Sequence, residues 1–220
     1  MCGRYSLTTP LEALRRVFAF EGSPNLAARY NIAPTQSAPV LRRHPDGRLL
    51  CHELRWGLVP SWAKDMSGAA RMINARSETV AEKPAFRAAF ARRRCLVPAD
   101  GFYEWQKLES GKQPWRILMA DRSRFAFAGL WERWEHPEEG RIDSYTILTT
   151  DAAPGIAEIH HRMPVILDAA DHAAWLDPDA GREALLDLAR PNDGVTAYRV
   201  SARAGNVRND DAELIEPVYA

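Results

Sequence analysis

A chain of 220 residues, 46% hydrophobic and 26% charged, is long enough for one domain with its own core and has the balance of a globular protein. Its formal net charge is zero, which excludes a globally basic nucleic-acid binder, and no apolar window approaches the length of a membrane-spanning helix. Cys2, Cys51 and Cys95 are widely spaced and form no C-x-x-C pair. Neither disulfides nor a metal site is therefore expected, and with no basic segment leading into an apolar stretch at the start, the chain reads as cytoplasmic.

Residues 10–20 carry apolar side chains at helical spacing behind Pro10, which predicts a first helix, and Gly22-Ser23-Pro24-Asn25 ends it. Residues 29–36 read as a loop leading into a strand over 38–42. His44-Pro45-Asp46-Gly47 reads as a hairpin turn with a return strand near 49–56. Residues 64–68 form a loop, and the amphipathic, basic stretch 84–94 predicts a helix. Strands follow at 94–98 and 101–108, a hairpin turn at 110–113, and further strands at 115–119, 125–132 and 144–149, rich in aromatic and β-branched residues. A short helix over 153–159, a strand over 164–167, helices over 169–176 and 182–189, and a strand over 196–200 that closes the sheet complete the chain. Strands dominate the middle and helices the edges, without βαβ alternation. The expected fold is α+β, a single domain over residues 1–220, built on a curved, mostly antiparallel, partly closed and barrel-like sheet with peripheral helices.

Charge is unevenly spread. Residues 71–94 hold Arg71, Arg76, Lys83, Arg87, Arg92, Arg93 and Arg94 against Glu78 and Glu82, and residues 132–143 reverse the balance with Glu132, Glu135, Glu138, Glu139 and Asp143 against Arg133 and Arg141. The basic segment reads either as a local hold on a phosphate backbone or as a solvated helix face.

The second residue is the most telling. Removal of Met1 would give Cys2 a free α-amine of pKa roughly 7.7–8.0 beside a thiol of pKa about 8.5. An aldehyde meeting that pair forms an imine with the amine, and the thiol then closes a five-membered thiazolidine. An internal cysteine cannot do this. Glu104, between Tyr103 and Trp105, is either a carboxyl held partly protonated in apolar surroundings, suited to acid–base work, or an exposed strand residue. His160 can shuttle protons near neutral pH, although the tandem His160-His161 leaves open which ring points inward. Asn74 either orients an amine or substrate oxygen or caps a turn.

Seven segments run in order along the chain: Met1 to Arg4, Arg29-Tyr30-Asn31-Ile32-Ala33-Pro34, Trp56-Gly57-Leu58-Val59-Pro60-Ser61-Trp62, Asn74-Ala75-Arg76-Ser77-Glu78-Thr79, the stretch 94–105 ending Gly101-Phe102-Tyr103-Glu104-Trp105, His160-His161-Arg162-Met163-Pro164, and Gly205-Asn206-Val207-Arg208-Asn209. Together they resemble the SOS response-associated peptidase (SRAP) family, which shields abasic sites in DNA. The resemblance implies that Met1 is lost and that Cys2 captures the ring-opened aldehyde of an abasic site in single-stranded DNA as a thiazolidine crosslink. It assigns Cys2 as nucleophile, Asn74 to its amine, Glu104 as acid and base, and His160, two residues before Arg162, to ring opening. DNA contacts are implied for Arg4, Asn31, Trp62, Arg76, Trp105 and Arg162. Many family members carry a second aromatic where this chain has Ala63, so a stacking wedge is expected to be weaker here.

The implied partner is single-stranded DNA containing abasic sites, with no cofactor and no membrane, and the protein is expected to be a monomer that joins the nucleoid at damage. Glu104 is further expected to enable reversal of the crosslink. The alternative reading is an N-terminal-nucleophile cysteine peptidase or amidohydrolase that uses Cys2 with its own amine as base, so autoproteolytic, peptidase-type or lyase-type activity fits the same residues. A third reading is a non-catalytic binder of single-stranded or modified DNA.

Overall fold

The computed structural model describes residues 2–22, 24–138 and 140–219; Met1, Ser23 of the expected turn, Glu139 of the acidic stretch and Ala220 lie outside them. The described chain runs β1 (Tyr5–Leu7), α1 (Leu11–Phe18), β2 (Arg29–Ile32), β3 (Ser37–Arg43), β4 (Leu49–Trp56), β5 (Asn74–Arg76), α2 (Arg87–Arg92), β6 (Arg94–Ala99), β7 (Gly101–Leu108), β8 (Gly111–Met119), β9 (Phe125–His136) and β10 (Gly140–Asp151). It ends with β11 (Arg162–Pro164), β12 (Ile166–Leu167), α3 (His172–Leu176), α4 (Arg182–Asp187) and β13 (Val195–Arg199). Among the described residues no helix is long and apolar enough to cross a membrane.

The expected hairpins form because turn chemistry and alternation agree. β3 and β4 pair antiparallel from Ser37↔Arg55 to Arg43↔Leu49 around the Pro45–Gly47 turn, and β7 and β8 pair from Phe102↔Ile117 to Leu108↔Gly111. The first helix stops where Ala19 turns left-handed (φ 50°) and its N–H bonds the Arg15 carbonyl at 2.8 Å.

Elsewhere the structure corrects the expectation. Arg29–Ile32 is a strand rather than loop, because β1 supplies a partner (Tyr5↔Ile32). The basic helix spans only Arg87–Arg92, and residues 153–159 form a single 3₁₀ turn at Pro154–Ile156. β13 does not close a sheet; it is an edge strand beside β8.

Closure comes from elsewhere. β10 pairs with β4, β4 with β3, β3 with β6, β6 with β9, and β9 returns to β10, so five strands form a complete ring. A closed ring has no exposed edge and buries one face of every strand. Gly129 lines that interior: a Cβ there would lie 2.8 Å from both Cys95 Sγ and Val97 Cγ2. The second sheet, ordered β13-β8-β7-β1-β2, packs against one end of the ring. Tyr5 of β1 joins the two, with its ring 5.2 Å from Trp56 and 5.7 Å from Phe127 in edge contacts, and its hydroxyl 2.7 Å from that of Tyr145.

Candidate active site

β10 organises the site by changing partners. Its first two-thirds pair with β9 and β4; beyond Ile147 it takes β5 on one side (Ile147↔Asn74, Thr149↔Arg76) and β11 on the other (Thr149↔Pro164, Asp151↔Arg162). Residues opposite one another share a face, so Asn74, Arg76, Thr149, Asp151 and Arg162 lie on one side of this three-stranded end. The motif around residue 74 and the motif around residue 162, 88 positions apart in the chain, become neighbours across β10: Arg162 pairs with Glu78 (2.6 Å) and Asp151 (2.8 Å) and donates to the Thr149 carbonyl (2.8 Å).

From the other sheet come Cys2 and Glu104. The Arg4 carbonyl accepts from Tyr103 N–H (3.0 Å) and Tyr5 faces Phe102, which lays the first residues along β7. Cys2 is fully buried (0% exposed) and Glu104 nearly so (4%). Burial, reinforced by the Glu104 charge, pushes the Cys2 thiol far above its ordinary range, so it is held as a thiol. Burial likewise pushes Glu104 up to about 7, and at 4% exposure it is not the exposed strand residue of the second reading. Residues 101–104 of β7 are buried in succession, so both faces are covered here and alternation does not expose Glu104.

His160 is the inward histidine. It is half-buried, while His161 is exposed and stacks on it at 4.6 Å. The main chain of Arg162 holds the ring through Nδ1, which lies 3.0 Å from its N–H and 3.1 Å from its carbonyl oxygen. Burial lowers its pKa, so the ring is neutral at physiological pH. The turn that carries it is tied to β7, where Gln106 Nε2 donates to the Glu158 carbonyl (3.3 Å) while Trp115 Nε1 donates to Gln106 Oε1 (3.0 Å).

Asn74 donates to the Ile73 carbonyl (3.0 Å), and its Oδ1 is buried with no partner. The Thr149 hydroxyl and Arg162 Nε are buried without partners on the same side. Unsatisfied polar atoms are costly to bury, and three on one face mark where a polar ligand belongs. Sequence reasoning missed Thr149, whose only available signal was its place at the end of the strand expected over 144–149.

The residues implied for DNA contact divide. Trp62 is 66% exposed on a pedestal: Glu132 accepts from Ser61 N–H (3.1 Å) and the Ala63 carbonyl accepts from Trp134 Nε1 (2.7 Å), fixing both chain neighbours. The loop leaves β4 through Gly57 (φ 116°), where a Cβ would come within 2.7 Å of the Ala69 carbonyl oxygen. Ala63 packs against the Trp134 cluster, and Arg76 is exposed. Arg4 and Asn31 are instead engaged within the protein. Arg4 donates to Asn31 Oδ1 (3.0 Å) and to the carbonyls of Ala204 (2.9 Å) and Gly205 (3.2 Å), and Asn31 donates to those of Asn206 (3.1 Å) and Asn209 (2.9 Å). The motif at residues 205–209 thus anchors the first residues of the chain. Trp105 is half-buried with the Arg4 guanidinium 5.8 Å from its ring centre. Among the described residues no group of three or more His, Cys, Asp or Glu side chains could hold a metal ion.

Fold and site together define an α+β barrel protein with a buried cysteine, a buried carboxyl whose charge acts on it, and a half-buried histidine. The sequence matches the family described as SOS response associated peptidase (SRAP) over residues 1–207. It is 39% identical to the abasic site processing protein YoqW of Bacillus subtilis (strain 168), covering 98% of this chain and 99% of that protein. Similarity to the abasic site processing protein HMCES of Rattus norvegicus is 33% identity over 99% of this chain and 76% of the relative. Among solved structures, a protein from Bacteroides thetaiotaomicron has the same fold, with a TM-score of 0.89 at 24% identity over 99% of this chain and 100% of that one. One from Bordetella bronchiseptica has a TM-score of 0.78 at 29% identity, covering 91% and 100%. This chain belongs to the SRAP family.

Proposed function

We propose that this protein processes abasic sites, recognising them in single-stranded DNA and capturing the ring-opened aldehyde on Cys2, after Met1 is removed, as a thiazolidine DNA–protein crosslink. The observation that carries the proposal is the buried meeting of Cys2 with Glu104, a carboxyl that both gives and takes protons near pH 7. The relatives named for abasic site processing support the substrate.

A protonated Glu104 and neutral His160 supply the proton transfers that open the sugar hemiacetal to its aldehyde. The Cys2 amine adds to the aldehyde carbon, and one water leaves as the imine forms. The thiol, kept protonated by burial, gives its proton to the Glu104 carboxylate as sulfur bonds to the imine carbon, and the nitrogen takes up a proton. The order follows from the environment: the amine attacks first because the buried thiol is not a standing thiolate. Asn74 Oδ1 accepts from the amine and orients it, and Thr149 takes a hydroxyl of the sugar. Thiazolidine closure removes the imine that would otherwise invite strand cleavage. Trp62 stacks on a base and Arg76 holds phosphate, while Arg4 and Asn31 keep the first residues in place.

Intact-mass spectrometry with single-stranded DNA carrying one abasic site tests this. The expected product is a heat-stable adduct of Met1-free protein plus DNA minus one water, absent for Cys2→Ser. An adduct that survives in Cys2→Ser, or a Met1-free wild type that forms none, overturns it. The peptidase alternative separates in the same variant, since a serine hydroxyl still attacks an amide but forms no thiazolidine.

A further inference from the structure

The ring of strands has a second end, and nothing in the capture chemistry uses it. Followed away from the Cys2 end, β3 runs to Arg42, β4 back to His52, β9 to Trp131 and β10 back to Asp143. There the barrel opens into a cavity of about 780 Å³ beneath the turn joining β3 to β4. Six arginines and two histidines line it against two carboxylates, in a chain whose formal charge is zero.

Most of that charge is held in place rather than cancelled. Asp143 alone serves Arg42, Arg133 and Arg141, each at 3.1 Å. Arg94 is spent on the carbonyls of Phe90 (2.7 Å), Ala91 (2.6 Å) and Trp175 (2.7 Å), which stiffens one wall. Arg43 and Arg92 line the same cavity, are exposed, and have no ion pair among the described residues. In the same lining the half-buried indole of Trp131 lies under the Arg42 guanidinium, 4.3 Å from its ring centre.

Three cations on one carboxylate plus two unpaired ones leave a positive field focused by a concave wall. Guanidinium forks match phosphate oxygens in pairs, and a cavity of this size accommodates a mononucleotide. A simple carboxylate would use the charge and leave the indole idle, whereas a nucleotide uses both.

We infer that this end of the barrel binds a nucleotide, with its phosphate on Arg43 and Arg92 and its base against Trp131, the nucleotide being either free or one unit of a nucleic-acid strand. The site shares no residue with the Cys2 centre, so it stands or falls apart from the capture chemistry.

Isothermal titration of the full-length protein with dTMP, thymidine, inorganic phosphate and a short oligothymidylate lacking abasic sites is the test. The expected result is saturable binding of dTMP or of the oligothymidylate, none of thymidine, and a loss of at least about tenfold in affinity in the Arg43→Ala/Arg92→Ala variant. Both side chains are exposed, so that variant keeps its melting temperature. Trp131→Leu should weaken the same ligand and leave inorganic phosphate unaffected; Cys2→Ser should change nothing. Saturation by dTMP identifies a free nucleotide. Silence of dTMP with an oligothymidylate affinity that falls in the double arginine variant identifies a strand. Binding of neither, binding indifferent to Arg43 and Arg92, or inorganic phosphate binding as tightly as dTMP overturns the assignment.

Discussion

The two ends of one barrel each hold a carboxylate, Glu104 buried and Asp143 partly covered, and the two are driven in opposite directions. At the Cys2 end burial pushes Glu104 up to about 7. At the far end burial also works to raise Asp143, yet hydrogen bonds from Arg141, Arg133 and Arg42 override it and hold the group well below its ordinary range. Desolvation is common to both, and the partners decide the sign. Where burial outweighs the partners a carboxyl becomes an acid–base group at neutral pH; where three arginines outweigh burial it becomes a fixed anion that orders its neighbours. β10 carries residues to both ends, so a single strand connects chemistry to electrostatics.

Glu104→Gln breaks the comparison most severely. It removes the proton donor and acceptor beside Cys2, and the crosslinking rate at pH 7 should fall about 10²–10⁴-fold, as is usual for loss of a positioned acid–base group. The wild-type pH–rate profile should show a limb near pH 7 that the variant lacks, measured by adduct formation against time. The same substitution should stabilise the fold. A carboxyl whose folded pKa is raised from 4.5 to about 7 favours the folded state fully only below pH 4.5, and that advantage is lost as pH rises through 7. Urea midpoints should therefore favour Glu104→Gln by up to about 3 kcal/mol at pH 8 and converge with wild type below pH 4.5.

Asp143→Asn probes the other end with the opposite sign. It leaves the buried Arg42 without its carboxylate while Arg133 and Arg141 remain in water, and a stability loss of about 1–2 kcal/mol is expected near neutral pH. Because its folded pKa is depressed, the stabilisation is present above the unfolded value of 3.8 and disappears as pH falls below it. The variant and wild type should thus converge in acid at this end as well, but through loss of wild-type stability. Crosslinking by the folded variant should be unchanged. A rate loss comparable to that of Glu104→Gln would mean the two ends are coupled.

The smallest effect on the fold is expected outside the barrel. Trp62→Ala should weaken single-strand binding by about 1–3 kcal/mol, read by fluorescence anisotropy, and leave the melting temperature unaltered because the pedestal bonds come from Ser61 and Ala63 backbone groups. An unchanged affinity would remove the exposed indole from the DNA path.

Hairpins and long strands were legible because their signals are local: alternation over eight or more residues and a turn that matches it, as in β3–β4 and β7–β8. The strands that carry the site were not. β1, β2 and β5 span three or four residues each, too short to show a period, and they exist only because β7, β1 and β10 offer hydrogen-bonding partners. Arg4 and Asn31 illustrate the same limit. Both stand out by residue type and motif, but their partners at 204–209 lie at the far end of the chain, so their engagement within the protein had no local sign.

The amino-acid sequence by itself determined the reactive groups available to this protein: a cysteine at the second position, a carboxyl between two aromatics, an asparagine and a histidine in ordered motifs, and a family resemblance that the match over residues 1–207 bears out. Only the tertiary structure decided which histidine faces inward, that Glu104 is buried, and that Arg42, Arg92, Arg133 and Arg141 converge around Trp131. The reason is physical. Covalent identity sets what a group can do, but protonation and exposure depend on solvent exclusion and on neighbours contributed by strands far apart in the chain.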